Sequence, residues 1–375
     1  MNRKLKNPFL LTGYYGKEYF CNREDELAAL EDHFDNERNV VLYSWRRLGK
    51  TALIQCFMAE LEAKKKAETI YIDLLGTRTI DDAILGITRA VFNKYGKTSS
   101  GISNAIVKLI SSIGLDISFD AQSGNPTISF GIKRGNGFHE KSLEALGDFL
   151  QQRKKVVLIA IDEFQQIKHY SEQNTEAVFR TWMQQFPALR FIFSGSHRNM
   201  MQAMFTERSR PFYQSAQLLQ LGAIDFYKYE LFINQHFKAN KKEIGSDSID
   251  AIYAWSRKQT YCIQLICNRL FGLYSKIELK NLQQVFDDIL KEESAVFGNY
   301  TNLLTDIQWR LLLAIAKEEP LHAPTAKEFI TKYNFGASST VSTAITKLVE
   351  SEMIIKEDDK YLVHDVLLAR WLQSL

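Results

Sequence analysis

The chain has 375 residues, 45% hydrophobic and 24% charged, the balance of an ordinary globular protein rather than a disordered or fibrous one. That length is too great for one small core and fits two or three domains. A formal net charge of +3, with a pI near 8.4, is too slight for a surface given over wholly to nucleic acid.

The N-terminal stretch carries scattered basic residues but only a three-residue apolar run, Phe9-Leu-Leu11, before Thr12 and Gly13, so no secretory signal is expected. The wholly apolar run at residues 156–161, which no other exceeds in length, is too short to span a bilayer. Cys21, Cys56, Cys262 and Cys267 lack metal-ligand or redox spacing and read as reduced core residues. A cytoplasmic protein with no membrane partner is the expectation.

Short apolar runs alternate with amphipathic patterns through residue 222. The spacing predicts strands over 39–43, 68–74, 155–161 and 189–194, and helices over 51–65, 80–95 and 175–185. Continuous apolar strands separated by helices predict an α/β core, a parallel sheet with helices on both faces. Residues 96–137 are rich in Ser and Gly. They hold two alternating runs, Leu115-Asp-Ile-Ser-Phe119 and Thr127-Ile-Ser-Phe130, joined by Ser123-Gly-Asn-Pro126, and predict a projecting β-hairpin insertion. Residues 223–297 read as an all-α lid, with helices over 253–273 and 281–293. From 298 to 375, helices over 306–317, 325–333 and 338–351 precede two short strands, the outline of a winged helix-turn-helix. The expected domains are therefore 1–222, 223–297 and 298–375.

Between the first strand and the first helix lies Ser44-Trp45-Arg46-Arg47-Leu48-Gly49-Lys50-Thr51, which fits the phosphate-loop pattern G-x-x-x-x-G-K-[ST] except that serine opens it. Loop amides and a helix N-terminus offer hydrogen-bond donors and a positive dipole to phosphates. Lys50 is expected to reach the β- and γ-phosphates of ATP, and the Thr51 hydroxyl to ligate Mg²⁺. Ser44 would cost about 1–2 kcal/mol if its position needed positive φ. The bland alternative is a chance G-K-T at a helix start.

The apolar run 156–161 ends in Asp162-Glu163-Phe164-Gln165. Acidic residues at the carboxyl end of a parallel strand face the crevice where open α/β sheets bind ligands. Asp162 is expected to hold Mg²⁺ and Glu163 to polarise the attacking water, against the alternative that both merely end a strand in solvent. At the end of the 189–194 strand, Ser194 is the first candidate to touch the γ-phosphate or its water and Ser196 the second, against turn-capping serines. Arg46, Arg47, Arg208 and Arg210 are candidates to neutralise phosphate charge.

The runs Phe20-Cys-Asn-Arg-Glu-Asp-Glu-Leu27, Ser44 through Thr51, Ile161-Asp-Glu-Phe-Gln165, Phe193-Ser-Gly-Ser196 and Arg210-Pro-Phe-Tyr213 together resemble the archaeal-ATPase-like proteins, STAND-type and AAA+-related P-loop ATPases akin to origin-recognition ATPases. The resemblance spans nearly the whole chain and implies a helical lid, a C-terminal winged helix and a nucleotide-driven conformational switch. It also implies that Phe20, Arg23 and Glu26 lie near the adenine. One departure is that Lys258-Gln-Thr-Tyr-Cys-Ile-Gln264 has no arginine where origin-type ATPases carry a sensor arginine, which implies slow hydrolysis without a partner.

The expected activity is thus ATP binding and hydrolysis that switches the lid and winged helix between orientations, with ATP or ADP bound, a protein partner, and self-association open. Two alternatives stand beside it: a DNA-associated regulator or loader reading duplex through the winged helix, and a scaffold that binds nucleotide without hydrolysing it. The reading helix, residues 338–349, carries serines, threonines and one lysine, and the wing Lys356-Glu-Asp-Asp-Lys360 is net acidic, so DNA is the weaker partner. The basic runs at Lys64, Lys65 and Lys66 and at Lys238, Lys241 and Lys242 read as solvated helix faces.

Overall fold

The computed structural model describes residues 5–98, 101–119, 126–130 and 137–375. The chain divides into two compact units, Gly13–Gly222 and Ala223–Leu375, the latter joined by residues 5–12.

The first unit runs through α1 (Glu24–Asp35), β1 (Val40–Tyr43), α2 (Lys50–Ala63), β2 (Ala67–Asp73), α3 (Ile80–Tyr95), the two-residue pair β3 (Lys97–Thr98) and β4 (Gly101–Ile102), and α4 (Asn104–Ser112). It continues with β5 (Leu115–Phe119), β6 (Pro126–Phe130), α5 (Phe138–Gln151), β7 (Val156–Asp162), α6 (Thr175–Gln185), β8 (Arg190–Gly195), α7 (Arg198–Thr206) and β9 (Gln217–Gln220). A five-stranded sheet has the order β2-β7-β8-β1-β9, and every pair in it is parallel. Because side chains alternate along a strand, each sheet face buries its own set. Val40, Leu42, Leu158, Ala160 and Ile192 pack with Leu27 and Leu30 of α1 and Leu53, Phe57 and Leu61 of α2. Val41, Tyr43, Ile159, Ile161, Phe191 and Phe193 pack with α3, α5, α6 and α7 on the other face.

This is the expected α/β architecture with one strand more. β9 was not anticipated because Gln217-Leu-Leu-Gln220 is short, mostly exposed and polar at both ends, as an edge strand can be. The hairpin strands pair antiparallel from Leu115↔Phe130 to Phe119↔Pro126. Of the residues expected to join them, Ser123-Gly-Asn125 lie outside the described residues, and Pro126 opens β6. The insertion is also less free than expected, since Leu115 and Ile128 are buried in the same cluster as Ile106, Ile110 and Leu143.

The second unit contains α8 (Phe226–Ala239), α9 (Ser246–Trp255), α10 (Thr260–Leu273), α11 (Leu279–Gly298), α12 (Tyr300–Leu303), α13 (Asp306–Lys317), α14 (Lys327–Lys332), α15 (Ser338–Glu350), the antiparallel pair β10 (Ile354–Glu357) and β11 (Lys360–Val363), and α16 (Val366–Ser374). The single helix expected over 253–273 is two, because Arg257 (φ 49°) and Lys258 (φ 63°) turn left-handed between α9 and α10. The winged-helix outline is present, followed by α16, whose buried Leu367, Leu368 and Leu372 pack it against α13 and α11. The N-terminal segment belongs here: Phe9 is fully buried against the rings of Phe232, Phe237 and Phe271. Asn7 donates to the Asn268 carbonyl at 2.9 Å, and Asn268 donates to the Phe9 carbonyl at 2.7 Å. Among the described residues, no helix is long and apolar enough to cross a membrane.

Candidate functional site

Strand β1 ends at Tyr43, beside Gly195 of β8, and the chain then curls through residues 44–49 into α2. The left-handed positions in this turn are Arg47 (φ 66°) and Gly49 (φ 94°). Ser44 is not among them, so the serine carries none of the backbone cost that a positive φ would impose. Its buried hydroxyl donates to the Trp45 carbonyl at 2.8 Å. Lys50, only 6% exposed, turns its ammonium into the loop and donates to Ser44 Oγ at 3.1 Å and to the Trp45 carbonyl at 3.3 Å. Arg46 and Arg47 are exposed, and the guanidinium of Arg198, at the start of α7, lies 5.5 Å from the centre of the Trp45 ring. Leu48 is half-buried, and its carbonyl accepts from Arg23 at 3.1 Å.

Arg23 is nearly fully buried and left-handed (φ 76°) at the entry to α1. Besides Leu48, its guanidinium donates to Glu26 at 2.6 Å and to the Gly222 carbonyl at 2.8 Å. One side chain thereby ties the phosphate loop to the last residue of the first unit. Phe20 packs edge-on against Tyr14, with ring centres 5.9 Å apart.

Asp162 and Asp73 end two neighbouring strands in register, and Asp162 lies on the sheet face that carries α2. This brings Thr51 and Asp162, far apart in sequence, into a 2.6 Å hydrogen bond from Thr51 Oγ1 to Asp162 Oδ2. The same oxygen accepts from the Tyr71 hydroxyl at 2.8 Å, and Oδ1 accepts from the Glu163 amide at 3.0 Å. Burial, and then the Asp162 charge, push the Tyr71 phenol far above its ordinary range. The Asp73 carboxyl is also raised, by burial first and then by the charges of Asp162 and Glu163, against an opposing hydrogen bond from the Leu75 amide.

Glu163 sits in the left-handed region (φ 52°, ψ 40°), a conformation a non-glycine residue adopts only where its surroundings hold it there. Its Oε2 accepts from the Ser196 hydroxyl at 2.7 Å, from the Ser196 amide at 3.3 Å and from the Gln165 side-chain amide. A Cβ on Gly195 would lie 2.2 Å from Gln165 Oε1 and 2.5 Å from Met201 Cγ, so only glycine lets this cradle close. Of the two serines, Ser196 therefore meets the carboxylate. Ser194 is fully buried on the face shared by Ile192 and Asp162, and its hydroxyl finds no hydrogen-bond partner among the described residues.

The remaining arginines are differently engaged. Arg210 donates to Glu176 at 3.0 Å and to Glu207 at 3.2 Å, and Lys168 reaches the same Glu176 oxygen at 2.9 Å. Arg208 is exposed in the turn after α7. In the second unit, Arg257, just ahead of the stretch 258–264, donates to the Val363 carbonyl at 2.7 Å and pairs with Glu319 at 3.2 Å. On α15, Lys347 pairs with Glu350, and the hydroxyls of Thr343 and Thr346 bond back to carbonyls of their own helix. In the wing, Lys356 pairs with Asp359. Lys64 and Lys66 both pair with Glu31, and Lys66 also pairs with Asp35. Lys242 donates to the Tyr274 carbonyl at 2.7 Å.

Tyr71, Asp73, Gln165 and Arg198 were not singled out in the sequence. Tyr71 and Asp73 lie in a strand that was expected, and the missing information was its register: only when Asp73 stands beside Asp162 does Tyr71 reach across to that carboxylate.

Residues 20–264 match the model of an ATPase domain predominantly from Archaea, and residues 295–374 match that of a probable winged helix domain. No curated protein matches the chain significantly. A Walker-type ATPase of Pyrococcus abyssi superimposes with a TM-score of 0.69 at 17% identity, over 98% of this chain and 99% of that one. The Aeropyrum pernix ORC2 protein, in ADPNP-ADP complexes, gives 0.58 at 12% identity over 94% and 92%. The Aeropyrum pernix ORC1 protein in complex with DNA gives 0.52 at 13% identity over 98% and 96%. At these identities the likeness is one of fold. With the family model covering well over half of its length, the chain belongs to the ATPase domains found predominantly in Archaea.

Proposed function

We propose that the chain binds ATP with Mg²⁺, hydrolyses it, and uses the nucleotide state as a conformational switch. The observation that carries this reading is the meeting of a buried Lys50 inside the 44–51 turn with the Thr51–Asp162 hydrogen bond and the cradled Glu163. The residues fit the substrate and its cation. Ser194 keeps a fully buried hydroxyl with no partner among the described residues, on the same sheet face as Asp162. The Thr51 hydroxyl spends its proton on Asp162 and so keeps its lone pairs for a cation.

In this reading Lys50 leaves Ser44 and Trp45 for the β- and γ-phosphates, with the amides of Arg46, Arg47, Leu48 and Gly49 around them. Thr51 and Asp162 hold Mg²⁺, whose charge offsets that of the phosphate oxygens. Glu163 orients and polarises the attacking water, a contribution typically of about 10²–10⁴-fold. Ser196 and Gln165 fix the direction of its carboxylate, and Ser194 offers a hydroxyl toward the γ-phosphate. Arg23 holds the loop at the Leu48 carbonyl and acts on nucleotide through it.

A switch that goes nearly to completion requires the nucleotide to favour one state by about 5.5 kcal/mol. We propose a protein as the partner that reads it. The lysines of α15 and the wing are matched or outnumbered by carboxylates, Lys347 by Glu350 and Lys356 and Lys360 by Glu357, Asp358 and Asp359, which leaves no net positive charge for a duplex there. Binding to a DNA duplex that rises steeply as salt is lowered would reverse that choice. The reading as a whole is tested by Lys50→Ala: titration with Mg-ATP shows a loss of about 10-fold or more in affinity, and parent-like affinity sinks it.

A further inference from the structure

We infer that Tyr71 is a positioning residue for the cation half of this site, acting through Asp162. The inference rests on the proposed ATP-Mg²⁺ reading and extends it to a residue outside the phosphate loop and the Asp162-Glu163 pair.

Tyr71 lies on the edge strand β2, its Cα opposite Ala160 of β7, with Asp73 opposite Asp162. Its ring packs half-buried on the face that carries α2, and the phenol reaches two residues along the neighbouring strand to Asp162 Oδ2 at 2.8 Å. Thr51 Oγ1 donates to that same oxygen at 2.6 Å, and the Glu163 amide holds the other at 3.0 Å. Three donors from three elements therefore fix the carboxylate: α2, β2 and the chain just after β7. A carboxylate torsion is soft on its own, so the plane of Asp162 is set by what donates to it. Of the three donors, Thr51 is the one a cation engages directly and the Glu163 amide is backbone. Tyr71, whose phenol lies against both the Asp162 carboxylate and the Thr51 hydroxyl, is thus the side chain that can keep the two aimed at each other. Partners of this kind typically govern metal affinity by about 10–100-fold.

The position also separates this role from mere packing. Removing only the hydroxyl, as in Tyr71→Phe, keeps the ring against its neighbours on the α2 face, while Asp162 loses one of its three donors.

The test titrates a fluorescent ATP analogue into the parent and Tyr71→Phe proteins, first in EDTA and then at increasing Mg²⁺. Mn²⁺ electron paramagnetic resonance of the nucleotide complex supplies a second readout independent of turnover. The expected result is an unchanged affinity in EDTA and a rise of about 10-fold or more in the Mg²⁺ needed for the half-maximal effect. An altered Mn²⁺ spectrum is expected alongside it. Placed on an Asp162→Asn background, Tyr71→Phe should add nothing further, because the two act as one unit. A Mg²⁺ dependence equal to that of the parent overturns the inference. So does a loss of affinity in EDTA of the same size as that in Mg²⁺, which would mark a purely structural tyrosine, and so does full additivity with Asp162→Asn. If the parent itself binds nucleotide in neither condition, the ATP-Mg²⁺ reading fails and takes this inference with it.

Discussion

Gly195→Ala places a single methyl group where the structure has no room for one. The new Cβ would sit 2.2 Å from Gln165 Oε1, 2.5 Å from Met201 Cγ and 2.6 Å from Met201 Sδ. The φ of Gly195 lies outside the left-handed region, so the penalty is one of contact and not of backbone. Met201 and Gln165 are both buried and both must shift, Gln165 by more than 1 Å to reach ordinary van der Waals distance. Overpacking of this kind costs about 1–3 kcal/mol. In a unit of this size, that is about 2–4 °C of melting temperature per kcal/mol. The functional effect should exceed the stability effect. Gln165 donates to Glu163 Oε2, so its displacement releases the carboxylate, and an error of about 1 Å in a catalytic group can cost about 100-fold in rate. The assay is steady-state ATP hydrolysis beside a circular-dichroism melt. We expect kcat to fall at least about 10-fold with KM little changed, in a protein still folded at the assay temperature. A variant that melts lower yet hydrolyses ATP at the parent's kcat would refute the claim that Gln165 and Ser196 orient Glu163.

Two further perturbations address the rest of the site. Asp73 binds its proton more tightly in the folded protein than in the unfolded chain, so its ionisation destabilises the fold as pH rises through that raised pKa. Asp73→Asn keeps an acceptor for the Leu75 amide and should melt higher than the parent at neutral pH. That advantage should shrink as pH falls toward the ordinary Asp pKa of about 3.9 and be gone below about pH 3, where the parent carboxyl is protonated in both states. An advantage independent of pH would contradict the assigned cause. Trp45, one of five tryptophans, lies in the phosphate loop with the Arg198 guanidinium over its ring. Nucleotide should therefore change intrinsic fluorescence, and Trp45→Phe should abolish most of that change. A change that survives intact would place the reporter elsewhere.

Much of this architecture was legible as contiguous sequence. The loop 44–51 follows an apolar strand and opens a helix, and Asp162-Glu163 follows the most apolar run in the chain. In the sheet β8 separates β1 from β7, and α2 packed on the face that Asp162 shares brings Thr51 against it. What escaped depended on non-local register or on residues acting out of type. β9 was hidden because an exposed edge strand lacks the apolar run that marks its buried neighbours. The break between α9 and α10 was hidden because Arg257 and Lys258, and not a glycine, take the left-handed turn. Tyr71 and Gln165 were hidden because nothing in their local sequence tells which carboxylate they will meet. The cost foreseen for Ser44 rested on a φ that the turn assigns instead to Arg47 and Gly49.

The most direct test of the central claim is to denature the purified protein and its Glu163→Gln variant and identify the nucleotide each releases. The account predicts ADP from the parent, which has turned over what it bound, and ATP from the variant, whose amide cannot polarise the attacking water. ATP from both would contradict hydrolysis by this site, and ADP from both would contradict the assignment of Glu163 as the residue that drives it.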